Sequence, residues 1–591
     1  MPELQPIRTG ASGRSRPSRA QSLRSQSSRP TANLHRFLSG QHLDDVSVYH
    51  HEHDHQSDDN DEENTYSTDS LEEATEKEGD TDAREAGVEE VPEVREGIPD
   101  TRDLEAGRPP LEKKKTNRSI KDPNLVTWDG PDDPANPKNW DKKHKWAATL
   151  VVSSFTFISP VSSSMVAPAL TAIAKEFHIT SEVESQLTLS IFVLAYAIGP
   201  LFLGPLSEIY GRVPVLQLSN LFYLVFNIAC GASRSKGQMI AFRFLSGLGG
   251  SAPLALGGGV LSDCWRAEER GRSISIYSLA PLLGPAVGPI AGGFITENTT
   301  WRWAFWATSI ADGMIQISGL FFLRETYAPK LLHQKAEKLR KETGNTALHT
   351  EYEHPERSLA NVLKHSLVRP FRLLGTQIIV QVLAVYMAYL YGLMYLVLST
   401  FPMLWETRYH ESVGIGGLNY ISLGVGFFLA TQISAPINDR VYKKLKKRNN
   451  GVGQPEFRVP LMVPGSMFVP IGLFLYGWSA QYHTHWIVPN IGAAIFGAGV
   501  IMGFQCIQTY LVDTYTRFAA SAIGAATVLR SLAGFGFPLF APYMYAALDY
   551  GWGNSLLGFI AVGLGMPAPI LLWKYGRTLR DRSTFAAGGG S

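Results

Sequence analysis

Twelve apolar runs, each about as long as a bilayer is thick, fill this chain from residue 147 onward. They lie near 147–170, 185–207, 213–233, 238–262, 272–296, 301–323, 376–399, 415–436, 459–479, 484–510, 519–546 and 551–574. About 20 helical residues cross a hydrocarbon core about 30 Å thick, and a soluble enzyme has no ready way to bury twelve such helices. The connection at 324–375 divides them six and six. The expected fold class is therefore an all-α membrane protein with twelve transmembrane helices in two six-helix halves. Composition alone would not reveal this, because 45% hydrophobic and 18% charged residues also suit a large soluble chain.

The charges are segregated. Residues 1–135 are polar, with an Arg/Ser-rich start and an acidic tract through "DDNDEEN" and "EEATEKEGDTD". Such a stretch cannot bury enough apolar surface to offset the entropy of ordering, so a disordered cytoplasmic tail is expected. The halves then occupy 136–323 and 376–580, joined by the cytoplasmic loop 324–375. Residues 581–591 form a C-terminal tail whose "AAGGGS" reads as an appended flexible linker. No apolar run opens the sequence, so span 1 is expected to direct insertion without a signal peptide. Lys and Arg crowd alternate loops, in "DKKHK", "RAEERGR", the 324–375 connection, "DRVYKKLKKR" and "KYGRTLRDR". The positive-inside rule then predicts a multi-pass protein with both termini cytoplasmic. A net charge of +1 argues against a nucleic-acid partner.

Several smaller features carry weaker readings. Three cysteines, Cys230, Cys264 and Cys506, cannot build a disulfide framework and are read as packing residues. Ser22 and Ser27 each follow an Arg by three residues, which suits a basic-directed kinase or chance in an Arg/Ser-rich tail. "HHEHDH" (His50 to His55) has metal-ligand residue types but no scaffold, so no metal is assigned. "NTT" makes Asn298, in an expected outer loop, a candidate glycosylation acceptor.

The chemistry-bearing residues sit at the span ends and inside a few spans. "GPLSEIYGRVPV" between spans 2 and 3 offers Glu208 and Arg212 as a switchable pair, and "APINDRVYKKL" after span 8 repeats the arrangement with Asp439 and Arg440. That recurrence is what an internal repeat of two halves predicts. Arg243 lies inside span 4, Asp263 at its inner end, Asp312 inside span 6, Asp513 near the end of span 10 and Arg530 inside span 11. A charge within a span is costly and faces the bundle interior or a water-filled cavity. A proton-driven carrier needs a carboxyl whose affinity for protons changes between states, and Asp312 is the candidate, with Arg243 a candidate nearby cation. Asp312 could equally be a structural hydrogen-bonding group.

Span 5 contains "LLGPAVGPIAGGF", with Gly284, Gly288 and Gly292 four residues apart and Pro285 and Pro289 beside them. In lipid, small residues let helices approach closely. The stripe, with Gly293 next to it, is expected to form a joint against span 2 or a helix of the other half. In span 7, Tyr391 and Tyr395 share a face, as do Tyr386 and Tyr389. They suit a cavity for planar, greasy or cationic ligands, or an aromatic belt or core packing. No G-x-x-x-x-G-K-[ST] loop and no clustered nucleophile constellation occur, which disfavours ATP-driven pumping and enzymology.

The "G-x-L-S-E-x-Y-G-R" loop, the "R-F-L-x-G" start of span 4 and the Gly-Pro repeat of span 5 resemble three signature motifs of the major facilitator superfamily's 12-span drug:proton antiporters. "NPKNW", "RETYAP" and "NDRVYKKL" are similar to the fungal branch, and the likeness covers roughly 135–580. The resemblance implies a proton-coupled efflux transporter of a fungal plasma membrane, exporting varied amphipathic compounds by alternating access. It implies no cofactor beyond the proton gradient, a lipid-embedded monomer, a proton-coupling role for Arg243 and a cytoplasmic gate of Arg212 with Asp263. It also gives the Gly-Pro motif the task of sealing the external side while the halves rock. One departure is Glu208, where the family's acid is Asp; the charge is kept with a longer reach. The alternatives left open are a dedicated exporter of polyamines, an organic acid or a self-made toxin, and a transporter-derived sensor.

Overall fold

The computed structural model describes residues 122–266, 269–353, 359–583 and 585–586. Ser22, Ser27 and the His50 to His55 run lie outside the described residues. The chain divides into two units, Ser47–Leu125 and the remainder, and the helices of the described residues belong to the second.

A helix stands at each of the twelve expected runs. Spans 1 to 3 are Lys142–Ser164, Glu182–Tyr210 and Arg212–Gly231. Span 4 is Lys236–Gly250 and Ala252–Cys264, interrupted at Ser251. Spans 5 and 6 are Arg270–Asn298 and Arg302–Phe322. The second half begins with Ile378–Thr407 as span 7, then Val413–Leu418 and Tyr420–Arg448 as span 8. Met462–Gln481 and Ile487–Thr514 are spans 9 and 10. Spans 11 and 12 run on as Ala519–Gly565, bent at Asp549 (φ 53°) and followed by Pro567–Asp581.

Ten stretches of the described residues are long and apolar enough to cross a membrane. Two physical reasons separate ten from twelve. Spans 11 and 12 form one 63-residue stretch, and Arg302–Phe322 falls outside the ten because polar groups, Asp312 and Gln316 among them, interrupt its apolar run.

Local chemistry fixes the helix ends. Asp141 accepts from the Lys143 N–H at 3.2 Å, and Ser235 and Ser412 accept from Gln238 and Ile415, so the starts of spans 1, 4 and 8 have partners for an otherwise orphaned N–H. Spans 2 and 3 are separated by Gly211 alone, at φ 101°, a conformation that L side chains rarely adopt. Span 7 is the most enclosed helix, with Tyr395, Phe401 and Trp405 almost fully buried. Outer faces carry exposed Leu218, Ile310, Ile317, Phe321, Phe559 and Ile570, the surface a bilayer solvates.

The connection between the halves is partly folded. Its helix Ala328–Thr343 buries Leu332 and Ala336 and is tied to the chain ahead of span 1, where Lys335 Nζ donates to Thr127 O (3.0 Å) and Asp129 Oδ1 (2.6 Å). Asp133 lies 3.7 Å from the same ammonium. Backbone N–H groups of Asp129 and Ala135 hold its carboxyl below the usual carboxylate range.

Candidate functional site: charge clusters, a joint and an aromatic floor

At one end of the bundle each half carries a cluster built on an arginine. In the first, Arg212 Nε stands 3.5 Å from Asp263 Oδ2, its Nη1 donates to Ser207 Oγ (2.8 Å), and its guanidinium covers the Tyr327 ring. A side chain on Gly259 would meet that guanidinium at 3.2 Å, so the small residue makes room for it. Glu325 completes the cluster, its carboxylate accepting from the Arg212 and Val213 N–H groups (3.0 and 3.3 Å) at the start of span 3. Arg212 and Asp263, expected to pair, thus stand together. Glu208 is half-buried and makes no ion pair among the described residues, so its pairing with Arg212 is corrected; Asp263 has that place.

In the second half Arg458 donates to Asp439 Oδ1 (2.8 Å) and, through Nε, to Asp513 Oδ2 (3.0 Å). Arg440 is exposed. The expected Asp439–Arg440 pair is corrected accordingly: adjacent residues on a helix point about 100° apart, so Asp439 turns inward and Arg440 outward. The base comes from "PEFRVP", a tight helical segment before span 9. An Arg flanked by prolines at a span entrance was the available signal. Arg580 and Glu456 form a further pair at 3.2 Å.

Arg243 is fully buried and, among the described residues, forms no ion pair with a carboxylate. Its Nε donates to Thr188 O (3.2 Å), Nη1 to Ser162 O (3.1 Å) and Nη2 to Ser163 O (3.2 Å), and its guanidinium sits 4.4 Å from the Phe192 ring centre. It therefore cross-links spans 1, 2 and 4. Asp312 is also fully buried, but elsewhere: both oxygens accept from Asn220 Nδ2 at 3.0 Å, and the same amide reaches Gln316 Oε1 at 2.9 Å. Spans 3 and 6 are joined by this network. Arg243 and Asp312 form no ion pair, so the cation expected beside Asp312 is absent among the described residues. Asn220 and Gln316 were not singled out from the sequence, where a lone amide in an apolar run is uninformative.

The Gly-Pro helix packs on span 1, not on span 2. A Cβ on Gly284 would lie 2.7 Å from Pro160 Cβ, one on Gly288 would lie 2.6 Å from Val161 O, and one on Gly292 would strike Met165 O. The stripe expectation is corrected in its partner but kept in its principle. Contact with the other half is made by the neighbouring face, where a Cβ on Gly293 would sit 2.8 Å from Val413 O and Pro289 O faces Gly417. Pro285 and Pro289 are accommodated in an unbroken helix. One turn on, Glu297 accepts from Gly414 N at 2.6 Å and from Ser412 Oγ at 3.2 Å, clasping the start of span 8. Asn298 is exposed beside it. These contacts lie at the end opposite the arginine clusters.

Midway along the bundle Tyr391 and Tyr395 pack with ring centres 5.0 Å apart. Tyr395 OH reaches Ser163 Oγ of the first half at 3.1 Å, and Tyr391 lies beside Phe504 and under Arg530. Tyr389 instead donates to Leu557 O at 2.5 Å within its own half. Tyr391 and Tyr395 therefore form a floor between the halves, and all four span 7 tyrosines are 8% or less exposed.

The sequence profile of the Major Facilitator Superfamily matches residues 152–538. The chain is 54% identical over 494 residues to the "Efflux pump vrtL" of Penicillium aethiopicum, covering 83% of this chain and 98% of that one. It is 44% identical over 476 residues to the "Efflux pump radE" of Floropilus chiversii, covering 80% and 88%. Among solved structures, the partially occluded inward-open xylose transporter XylE from E. coli aligns with a TM-score of 0.54 at 18% identity, over 76% of this chain and all of that one. With the twelve helices, the paired arginine clusters and the inter-half joint in place, this chain belongs to the Major Facilitator Superfamily and is a multi-pass membrane transporter of small molecules.

Proposed function

We propose that the protein is a proton-coupled efflux transporter that exports varied amphipathic compounds from a fungal cell across the plasma membrane. The observation that carries the coupling is Asp312, a carboxyl fully buried between spans 3 and 6 and partnered by neutral amides. Leaving it ionised there is costly, so its proton occupancy follows whether water reaches it. Arg243 holds spans 1, 2 and 4 in register by its three carbonyl contacts, and a shift of any one of these spans loosens the wall around Asp312.

The termini and arginine clusters are assigned to the cytoplasmic side on the Lys/Arg asymmetry of the loops. On that orientation the Glu297–Ser412–Gly414 clasp and the Gly293–Gly417 approach close the outer end. Each of these ion pairs at the inner end among the described residues joins groups of the same half, and none of them bridges the two halves. Alternating access then consists of releasing the outer clasp while the inner ends meet. The halves 136–323 and 376–580 and the connection 324–375 keep the roles given them by the sequence, and the protein acts as a monomer; the expectation of a disordered tail over all of 1–135 is corrected at its end, where Val126 and Asp133 are buried and Asp129 pairs with Lys335 of the connection.

The test is efflux of a fluorescent lipophilic compound and several antifungal drugs from cells stripped of their own pumps, with and without a protonophore. Protonophore-sensitive efflux of unrelated compounds supports the reading, as does its loss in Asp312→Asn with surface expression intact. Export of one compound class alone makes the protein a dedicated exporter, and normal coupled efflux in Asp312→Asn removes the proton from this residue.

A further inference from the structure

The intramembrane charges described above find partners inside the protein, with one exception. Arg243 is matched by three carbonyls and Asp312 by Asn220. Arg530, in span 11, has neither a hydrogen bond nor an ion pair among the described residues. Its Nε is buried without a partner, and its guanidinium stands 5.0 Å from the centre of the Tyr391 ring.

Its place is central. Arg530 lies eleven residues from the inner start of span 11 at Ala519, about 17 Å along a helix, near the middle of a hydrocarbon core about 30 Å thick. One turn further on, a Cβ at Gly534 would lie 2.8 Å from the Tyr391 ring and 3.1 Å from Val193 Cγ1 of the first half. The guanidinium is thus at the seam between the halves. Phe504 of span 10 adds a second ring, 5.9 Å from Tyr391. Among the described residues no acid is close enough to neutralise the group: Asp312 is enclosed between spans 3 and 6, and Glu406 is fifteen residues beyond Tyr391, about 22 Å up span 7.

We propose that Arg530 is the recognition point for an anionic cargo, so that the transported compounds are amphipathic organic anions with a planar, ring-bearing body. This deepens the efflux reading and rests on it for the direction of transport. A carboxylate or phenolate accepts from the guanidinium fork, which presents several donors in one plane, while the rings of the cargo lie against Tyr391 and Phe504. The unpaired cation repels lipophilic cations from the same floor. Exchange of one anion outward for one proton inward moves two unit charges in the same electrical sense, so the membrane potential drives export directly, whereas exchange of a monovalent cation for a proton is electrically silent.

The experiment uses two dyes with one xanthene frame and opposite charge, fluorescein and rhodamine 6G. Binding is read by fluorescence anisotropy on the full chain in lipid nanodiscs, and efflux in cells lacking their own pumps. Fluorescein binds wild type, Arg530→Gln weakens it by about tenfold or more, and Arg530→Lys, which keeps the charge, falls between. Rhodamine 6G binds no more weakly to Arg530→Gln than to wild type. Equal fluorescein binding by wild type and Arg530→Gln, or a wild-type preference for rhodamine 6G, overturns the proposal. If Arg530→Gln does not give a monodisperse protein, Arg530→Lys and a Tyr391→Ala variant carry the comparison, and unchanged fluorescein affinity in both overturns it. Arg530-dependent binding without efflux upholds the anion site and removes the export reading. Protonophore-sensitive efflux of fluorescein that ignores Arg530 does the reverse.

Discussion

The contact between spans 1 and 5 makes a quantitative demand on Gly288. A Cβ placed there would lie 2.6 Å from Val161 O and would also strike Ser164 Oγ, whereas ordinary contact begins near 3.4 Å. Ser164 can rotate, but a backbone carbonyl cannot, so Gly288→Ala must push the helices apart by about 0.8 Å. Gly284 and Gly292 sit on the same rigid stripe, so the displacement thins dispersion contacts over three turns and lengthens the 3.4 Å bond from Ser164 Oγ to Gly284 O. Overpacking of this kind costs about 1–3 kcal/mol. Gly258, with nothing within 4 Å of its own would-be Cβ, is the control, and there Ala is neutral or improves helix stability by up to about 1 kcal/mol. Thermal unfolding of both variants in detergent, followed by tryptophan fluorescence, should show Gly288→Ala melting earlier and Gly258→Ala not. If the two variants melt alike, the stripe is not a tight joint and the steric argument fails.

Three further outcomes are expected. Arg458→Ala leaves Asp439 and Asp513 facing one another without a cation and should lower stability by about 3 kcal/mol, while Arg440→Ala, on the exposed face, should stay within about 0.5 kcal/mol; chemical denaturation compares them. Cysteines replacing Glu297 and Ser412 together, bridged by a short bifunctional thiol reagent with a cleavable centre, should stop transport, with activity returning on cleavage; transport at the wild-type rate with the link formed would show that the clasp need not open. Treatment with an endoglycosidase should shift the electrophoretic mobility of the wild type but not of Asn298→Gln, and an unglycosylated wild type would leave the outer assignment of that loop without this support.

The sequence disclosed what hydrophobicity and charge patterning encode. Twelve helices and the division at 324–375 follow from run length, and the pairing of Arg212 with Asp263 followed from family motifs. What escaped depends on which way a side chain turns. Asp439 and Arg440 are neighbours in sequence but face opposite directions, and the true partner, Arg458, lies nineteen residues on. The glycine stripe was visible as a stripe, yet its partner could not be read from spacing because every neighbouring helix offers small residues. Asn220 and Gln316, which hold Asp312, lie in spans 3 and 6 and meet only through packing. Glu325 stood in a quoted motif, but its work at the start of span 3 needs Gly211 to bring the helix there.

Arg243 has a genetic consequence. Its acceptors at Thr188, Ser162 and Ser163 are main-chain oxygens, which substitution at those positions leaves in place. Spans 1 and 2 can therefore drift at those residues without stranding the cation. Conversely, an inactive Arg243 variant has no charged neighbour whose replacement could compensate it. A search for second-site revertants should return changes that reposition whole helices, at the joints between them, and no partner acid.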